Sequence, residues 1–322
     1  MGSPENIPDR ILVAIGGNAT HPEGIRGTAA EQKVIASRTA EALLPLALRK
    51  NQLVITHGNG PVVGKILMRQ SLTHDRVPPM SLDICVAHSQ GGIAYLLMQA
   101  MENALRERDN ARHVASLLTQ VEVDPNDSAF TNPTKPIGPF FTREQADKIS
   151  AELDWTMRED SGRGWRAVVP SPKPKHIVDI SLIEELARRG TIVIAGGGGG
   201  IAVVRGPKGI RRGVEAVIDK DLTSAHMANM LSIPCLMILT AVSKVAVDFG
   251  RPTQRWLDCV TCNELKKYYD DGQFPAGSMG PKIAAAISFC SGGGKRAIIA
   301  HLNEAMPALQ GEAGTQIFSD EL

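Results

Sequence analysis

Ile11-Leu-Val-Ala-Ile-Gly-Gly-Asn18 joins a short apolar run to a pair of glycines. Two later stretches repeat the pattern, Leu53-Val-Ile-Thr-His-Gly-Asn-Gly-Pro61 and Thr191-Ile-Val-Ile-Ala-Gly-Gly-Gly-Gly-Gly200. An apolar run closed by glycines is typical of a buried parallel strand that ends in a tight loop. Because the carboxyl ends of parallel strands share one edge of a sheet, we expect the three loops to converge where open α/β sheets bind ligands.

Strand-like and helix-like segments alternate along the rest of the chain. The strand-like runs lie at 11–15, 53–57, 114–121, 191–195, 236–240 and 297–300. Helical periodicity occupies 31–50, 84–108, 181–189 and 222–231. This order is typical of βαβ units, which build a mostly parallel sheet with helices on both faces. We therefore predict an α/β protein with a single domain over residues 1–322.

One segment, residues 124–174, interrupts this regular order. It is rich in proline, glycine and charge, which excludes a central strand. Its length exceeds that of an ordinary connection, and such insertions are often functional. The segment also contains large apolar side chains that can anchor it, namely Phe130, Phe140, Phe141 and Trp165. We predict a lobe or lid that packs against the rest of the domain.

Composition excludes several classes of protein. The chain has 322 residues, of which 43% are hydrophobic, enough for a sizeable core. The formal net charge is +1 and there is no basic run, which argues against a nucleic-acid partner. No apolar stretch reaches membrane-spanning length, and residues 1–10 are polar. These features predict a cytoplasmic protein without a membrane partner.

The cysteines do not form a recognisable framework. Their number, 5, is odd, which argues against a set of structural disulfides. Cys259-Val-Thr-Cys262 has the spacing of a metal or redox pair, but a zinc site needs two more ligands at suitable spacing. Incidental cysteines are favoured over a redox or metal role, and we predict no metal-ligating residues.

The glycine loops favour an enzyme that holds a phosphorylated ligand on backbone amides. Glycine lets N–H groups approach an anion closely, and a following helix N-terminus adds its positive dipole end. Neither Gly-x-x-x-x-Gly-Lys-Ser/Thr nor Gly-x-Gly-x-x-Gly with a downstream ribose-binding acid is present. Any phosphate binding therefore follows a different design.

Three lysines are candidates for the chemistry. Lys220 lies between Asp219 and Asp221, and phosphoryl transfer needs cations to offset charge and acids to orient them. A solvated charge cluster at a helix N-terminus explains the same pattern. Lys282 ends Gly277-Ser-Met-Gly-Pro-Lys282 and opposes the dipole of the predicted helix 283–289, which favours a bound anion. Lys135 is held at a fixed reach by flanking prolines, although an exposed turn lysine is the simpler interpretation.

Taken together, these motifs resemble those of the carbamate kinases in the amino-acid-kinase superfamily. The matching stretches are Ala14-Ile-Gly-Gly-Asn-Ala19, Thr56-His-Gly-Asn-Gly-Pro61, Ser89-Gln-Gly-Gly-Ile-Ala-Tyr95, Phe130-Thr-Asn-Pro-Thr-Lys-Pro-Ile-Gly138, Gly164-Trp-Arg, Val168-Val-Pro-Ser-Pro172, Gly197-Gly-Gly-Gly-Ile201, Gly213-Val-Glu-Ala-Val-Ile-Asp-Lys-Asp221, Gly277-Ser-Met-Gly-Pro-Lys282 and Gly314-Thr. They keep the family's order and cover about residues 11–317. The Thr-Lys-Pro-Ile-Gly and Glu-Ala-Val-Ile-Asp-Lys-Asp segments are specific to carbamate kinases within the superfamily.

The resemblance implies a reaction and an architecture. The reaction is reversible phosphoryl transfer from ATP to carbamate, which gives ADP and carbamoyl phosphate and uses Mg²⁺. The architecture is an open αβα sandwich around a mostly parallel central sheet of about eight strands, with a protruding lobe. The resemblance also implies a homodimer.

It further implies a role for individual residues. The carbamate and the transferred phosphoryl group would be held by Gly16, Gly17, Asn18, Gly58, Asn59 and Gly60. Lys135 would reach in from the lobe, Lys220 and Lys282 would neutralise phosphate charge, and Asp221 would organise the lysines. The nucleotide would be bordered by Gly197, Gly198, Gly199, Asp219, Thr240, Ala241, Val242, Ser278, Met279 and Gly280.

Four positions depart from the family pattern. Val62 stands where the family usually has Gln, Ala167 where it has Arg, Ala202 where it has Pro, and Asp248 where it has Asn. Val62 directly follows the second glycine loop, so we expect its effect in substrate affinity or specificity. None of the four removes a charge from the proposed catalytic set.

Two other functions compete with this prediction. The first is a superfamily relative that phosphorylates another small acid, and the Thr-Lys-Pro-Ile-Gly segment argues against it. The second is a catalytically weak regulatory or binding paralogue. The presence of Lys135, Lys220, Asp221 and Lys282 favours an active enzyme over the second alternative.

Overall fold

The computed structural model describes residues 7–22, 24–160, 162–275 and 277–320. The β-strands are β1 (Arg10–Ile15), β2 (Gln52–His57), β3 (Val114–Ser116), β4 (Gln120–Val123), β5 (Lys135–Phe141), β6 (Met157–Glu159), β7 (Trp165–Val169), β8 (Pro174–Ile177), β9 (Ile192–Ile194), β10 (Ile201–Arg205), β11 (Arg211–Val217), β12 (Cys235–Thr240), β13 (Val245–Val247), β14 (Arg255–Leu257), β15 (Cys259–Thr261), β16 (Arg296–His301) and β17 (Thr315–Phe318). The α-helices are α1 (Ala29–Ala47), α2 (Gly60–Leu72), α3 (Leu82–Arg106), α4 (Arg143–Leu153), α5 (Ile180–Arg188), α6 (Lys220–Met230), α7 (Cys262–Asp270), α8 (Met279–Ser291) and α9 (Ala305–Gln310).

An 8-stranded sheet forms the centre of the molecule, in the order β15-β17-β16-β12-β1-β2-β9-β3. Every neighbouring pair in it is parallel except β16 and β17. β1 lies between β12 and β2, so its carboxyl end is near the middle of the sheet edge. The predicted α/β class with a mostly parallel sheet is confirmed.

Both faces of the sheet are covered by helices. In β1, Leu12 and Ala14 face one core, whereas Ile11, Val13 and Ile15 face the other, and all five are fully buried. Strands buried on both faces become continuously apolar, as in the quoted 11–15 run. The first core packs against α5, α6, α7 and α8, and the second packs against α1, α3 and α9.

Most of the predicted strands coincide with observed ones, but the run at 114–121 was wrong as a single strand. It forms β3 in the central sheet and β4 in a second sheet, of order β11-β10-β4-β8. Side chains hold the bend between the two. The Thr119 N–H donates to the Gln90 side chain at 2.9 Å, and Thr119 Oγ1 accepts from the Gly196 N–H at 2.8 Å. The pattern of apolar residues carries no information about such contacts with distant segments, so it could not predict the bend.

A three-stranded antiparallel sheet, of order β5-β7-β6, occupies the middle of segment 124–174. Helix α4 packs beside it and begins with a capping box between Thr142 and Gln145. β5 approaches α2 closely, because a Cβ added to Gly64 would lie 2.1 Å from the Cα of Gly138. Two glycines therefore let these backbones pack against each other.

Among the helices of the described ranges, none combines the length and the apolar character needed to cross a membrane.

Candidate functional site

A cavity of about 1110 Å³ opens at the carboxyl edge of the central sheet. Residues at four strand ends line it: Gly16 after β1, Gly58 after β2, Thr240 in β12 and His301 in β16. Lys135 and Pro136 of β5 line the side formed by the lobe. The cavity thus lies where a parallel sheet presents its loops to a ligand.

The glycine loops touch one another at this edge. A Cβ on Gly58 would lie 3.0 Å from the backbone N of Gly17, so the first two loops are in contact. Gly198 has φ +64, and a Cβ there would lie 2.1 Å from Nδ2 of Asn59. That amide in turn donates to Ser89 Oγ at 2.8 Å. Side chains larger than hydrogen would separate the loops.

Most residues predicted for substrate and nucleotide line the cavity: Gly16, Gly17, Gly58, Asn59, Gly60, Gly198, Asp219, Thr240, Ala241, Val242, Ser278 and Met279. Gly197, Gly199 and Gly280 do not line it. They permit close packing instead, since a Cβ on Gly199 would lie 2.2 Å from the carbonyl oxygen of Ile218. The side chain of Asn18 lies outside the described part of the chain.

All four residues predicted to be catalytic line the same cavity, and three of them form one cluster. The ammonium groups of Lys220 and Lys282 both donate to Asp221, the second at 3.2 Å to Oδ2. Asp221 is only 3% exposed and Lys220 only 8%. The solvated charge cluster considered above does not occur, because these groups are buried.

Asp219, not Asp221, caps helix α6. Its Oδ1 accepts from the backbone N–H of Asp221 at 2.9 Å and of Leu222 at 3.2 Å. Its Oδ2 accepts from Lys135 Nζ at 2.5 Å, and that lysine lies 84 residues earlier, on the lobe strand β5. One carboxylate therefore joins the helix start to the lobe.

Burial and neighbouring charges shift the pKa values in the cluster. Burial alone would raise the pKa of Asp221, but Lys220 and Lys282 outweigh it and hold that pKa far below its usual range. Burial lowers the pKa of Lys220 despite the opposing effect of Asp221. For Lys282 the carboxylates of Asp221 and Asp219 outweigh burial, so its pKa is raised. The cluster is thus a pair of ammonium groups, that of Lys220 buried and that of Lys282 largely buried, organised around one buried carboxylate.

His57 lies at the end of β2, beneath the glycine loops. Burial is the main reason why its pKa is lowered to about 4, so the ring is neutral at pH 7. A Cβ on Gly197 would lie 2.5 Å from its Nε2, so the ring packs directly against the third loop. The buried ring of His57 therefore supports the third glycine loop by packing against it.

The cavity is also lined by two aromatic residues that the sequence analysis did not single out. Phe249 is 68% exposed and Trp256 is 50% exposed, and both line the cavity. Large exposed rings around a cavity commonly indicate a binding surface. The available signal was composition, because aromatic residues make up only 4% of the chain.

Arg166 of the lobe is a second residue that sequence reasoning quoted without a role. It lines the cavity, donates from Nε to the Gly138 carbonyl oxygen at 3.1 Å and pairs with Asp160 at 3.1 Å. Its Nη2 lies 3.9 Å from the position of a Cβ on Gly60. The lobe thus brings a guanidinium group beside the second glycine loop, in addition to the Lys135 ammonium group at Asp219.

Comparisons with known proteins agree with this geometry. The family model described as the amino acid kinase family matches residues 9–301. The carbamate kinase of Pyrococcus horikoshii is 46% identical over 313 residues, covering 97% of this chain and 99% of that protein. The structure of the Giardia lamblia carbamate kinase bound to citric acid superposes with a TM-score of 0.93 at 39% identity, covering 97% of this chain and 99% of the other. The same enzyme bound to AMP-PNP gives a TM-score of 0.88 at 39% identity and the same coverage.

Proposed function

The chain belongs to the amino acid kinase family and, within it, to the carbamate kinases, and we propose how its cavity transfers a phosphoryl group between ATP and carbamate. It is therefore a phosphotransferase, and its relative's binding of AMP-PNP, an ATP analogue, implies a nucleotide substrate. The observation that carries the proposal is the buried Lys220–Asp221–Lys282 cluster in a cavity bordered by three glycine loops.

The chemical step follows from this arrangement. A carboxylate oxygen of carbamate attacks the γ-phosphorus of ATP, the bond from that phosphorus to the β–γ bridging oxygen breaks, and its electron pair leaves with ADP. Charge on the transferred group is largest in the transition state, where fixed cations stabilise it most. We assign this task to Lys220 and Lys282, with Asp221 as the group that fixes them in place.

The acceptor end of the cavity suits a small planar anion. The backbone N–H groups of Gly16 and Gly58 donate to the carbonyl oxygens of Leu239 and Ile15. The acceptor would therefore be held by the N–H groups of Gly17, Asn59 and Gly60, which belong to two loops in contact with each other. Lys135 would approach this group from the lobe. Carbamate needs no large apolar pocket, and backbone amides with lysines match its charge.

The nucleotide would occupy the other end. We propose that its phosphates lie along the third glycine loop and Lys282, and that its base lies against the rings of Phe249 and Trp256. An aromatic ring provides a stacking surface for a base. Thr240, Ala241, Val242, Ser278 and Met279 would border the same nucleotide.

Mg²⁺ would enter with the nucleotide. Within the described ranges, no group of at least three His, Cys, Asp or Glu side chains is placed to hold a metal ion. Mg²⁺ in phosphoryl-transfer sites often relies on phosphate oxygens and water, with few protein ligands, and this chain fits that mode. When bound there, the ion would offset negative charge on the phosphates.

We also propose a role for the lobe, a homodimeric assembly and a cytoplasmic location. Residues 124–174 would act as a lid that closes over the acceptor and excludes water from the phosphoryl group. The homodimer rests on the family resemblance, and the cytoplasmic location rests on composition.

The direct test is ATP formation by the purified protein from ADP and carbamoyl phosphate. We expect turnover with carbamoyl phosphate and far less with acetyl phosphate, which has a methyl group where carbamoyl phosphate has an amino group. Equal rates with the two acyl phosphates would favour a relative acting on another small acid. No ATP from either substrate, with Mg²⁺ present, would favour a regulatory paralogue.

A further inference from the structure

The two loops proposed to hold carbamate are joined by a contact between two side chains outside the catalytic cluster. Lys65 Nζ lies 2.7 Å from His21 Nε2, and it also donates to the Arg26 carbonyl oxygen at 2.9 Å. Lys65 belongs to α2, which starts in the second glycine loop. His21 follows the first glycine loop. Both residues line the cavity.

His21 is fixed relative to the first loop. Its backbone N–H donates to the Gly17 carbonyl oxygen at 2.7 Å and closes the turn that contains Gly17. Its side chain is only 6% exposed. Gly27 packs against the ring so closely that an added Cβ would lie 2.3 Å from Cε1. A shift of the His21 ring would therefore also shift the backbone of Gly17.

Lys65 is fixed relative to the second loop. It lies five positions after Gly60, on the helix whose first turn contains Pro61. Pro61 is itself a neighbour of the first loop, because a Cβ on Gly17 would lie 3.5 Å from Pro61 Cδ. A helix is stiff over this distance, so holding Lys65 also holds the start of α2.

Bringing a lysine and a histidine together costs desolvation free energy, which a purely structural contact would not need to spend. Lys65 is an ammonium donor, so His21 accepts at Nε2 and carries its ring proton at Nδ1. Burial, together with Lys65, lowers the pKa of His21 and favours this neutral form. Among the described residues, no hydrogen-bond partner is found for His21 Nδ1. Apolar side chains of similar size would hold the segments together with less desolvation.

We propose that Lys65 and His21 are positioning residues that set the spacing between the two acceptor loops. The inference rests on the proposed function, which places carbamate between those loops. Neither side chain needs to touch the reacting atoms. Backbone N–H groups from the two loops converge on one small anion only if the loops keep their separation, and a misplacement of 1 Å can reduce the rate by about 10²-fold.

The test measures ATP formation while carbamoyl phosphate and ADP are varied separately. Lys65→Met should lower kcat/KM for carbamoyl phosphate by about tenfold or more, mainly through KM, and leave KM for ADP unchanged. Lys65→Arg keeps a charged donor and should recover most of the loss. Arg69→Met is the matched control, since it removes a positive charge from an exposed position one turn later on the same helix.

Variants of His21 distinguish loss of the Lys65–His21 contact from loss of the Lys65 charge. His21→Leu breaks the contact but leaves the Lys65 charge in place, and it should reproduce the Lys65→Met defect. His21→Gln retains an acceptor oxygen near the position of Nε2 and should restore the activity. The double variant with both Lys65→Met and His21→Leu should be no worse than either single variant, because one contact is lost only once.

Several results would overturn the proposal that the Lys65–His21 contact sets the loop spacing. A normal KM in His21→Leu would leave only the lysine charge, and equal increases in both KM values would indicate a general structural defect. If Lys65→Met does not fold, His21→Leu and His21→Gln provide the test. His21→Leu should raise KM for carbamoyl phosphate but not KM for ADP, and His21→Gln should raise neither. A wild-type protein that makes no ATP from carbamoyl phosphate would refute the proposed function instead, so the two failures are distinguishable.

Discussion

At the scale of single residues, the cavity combines groups of opposite character. Asp221 holds two lysines in the interior, whereas burial keeps His57 neutral at the end of β2. Both conditions follow from burial, which disfavours any charge that lacks a partner. Sequence spacing identified Lys220 and Asp221, but only the folded chain brings Lys282 to them from 61 residues away.

The lysines should matter for rate more than for folding. Lys220→Ala and Lys282→Ala should each lower kcat by about 10²–10³-fold, the usual effect of losing one electrostatic donor. Each variant leaves Asp221 with one remaining lysine, so the melting temperature should change far less than the rate. Turnover at the wild-type rate in either purified variant would remove that lysine from the mechanism.

Asp221→Asn should be damaging although it preserves shape. It leaves the buried ammonium group of Lys220 and the partly exposed one of Lys282 without their shared carboxylate, and breaking a buried ion pair this way commonly costs about 3–5 kcal/mol. Capping does not explain Asp221, because Asp219 is the N-cap of α6. Urea denaturation measures the loss, and Asp147→Asn, in an exposed pair on α4, is the control that should change little.

His57 should make stability depend on pH. Its pKa is about 4 in the folded protein and near 6.5 when exposed, so between these values the unfolded chain binds more protons. The histidine therefore contributes stability above pH 6.5 that is lost as pH falls to 4, by roughly 3 kcal/mol in total.

The corresponding measurement is the free energy of unfolding at pH 7 and pH 4.5. His57→Gln should lose less stability over that interval than the wild type. His88→Gln, at an exposed position on α3, should follow the wild-type curve. Parallel curves for all three proteins would mean that His57 does not remain neutral in the folded state.

At the scale of elements, the contact between α2 and β5 joins the lobe to the domain. It depends on two glycines facing each other, Gly64 and Gly138. The same helix α2 carries Lys65 and starts in the second acceptor loop. If the lobe moves as proposed, one helix would connect that movement to the geometry of the proposed acceptor loops.

Gly64→Ala should be destabilising, although alanine normally favours a helix over glycine by about 1 kcal/mol. The added methyl group would lie 2.1 Å from Gly138 Cα, so β5 must shift, at a typical cost of 1–3 kcal/mol. We expect a lower melting temperature and a higher KM for carbamoyl phosphate. Gly91→Ala on α3 meets no atom within 4 Å and should be stabilising, and identical behaviour of the two variants would contradict close packing as the constraint.

At the scale of the whole molecule, apolar runs and glycines predicted the central sheet because its inner strands, such as β1, β9 and β12, are buried on both faces. The division of 114–121 into β3 and β4 escaped prediction, since it depends on Gln90 and Gly196 meeting Thr119 in space. The pairing of Lys135 with Asp219 and of Lys65 with His21 escaped for the same reason. Long-range pairs of polar side chains leave no periodic trace in a single sequence.

The lobe should move as a unit during the reaction. Lys135→Ala should lower kcat/KM for carbamoyl phosphate and change ADP affinity little, because we propose that the third glycine loop and Lys282 hold the nucleotide. Hydrogen exchange in residues 124–174 should slow when ADP and carbamoyl phosphate are both bound, as closure buries this segment. Unchanged exchange together with an unimpaired Lys135→Ala enzyme would reduce the lobe to a static part of the fold.

The double use of Asp219 also provides a spectroscopic reporter. The carboxylate that accepts from Lys135 is the one that accepts from the N–H groups of Asp221 and Leu222. When a ligand draws Lys135 away, the charge on that carboxylate is less neutralised, and both N–H groups experience the change directly. Their amide chemical shifts would then follow the opening of the lobe in the unmodified protein, without a label placed on the lobe itself.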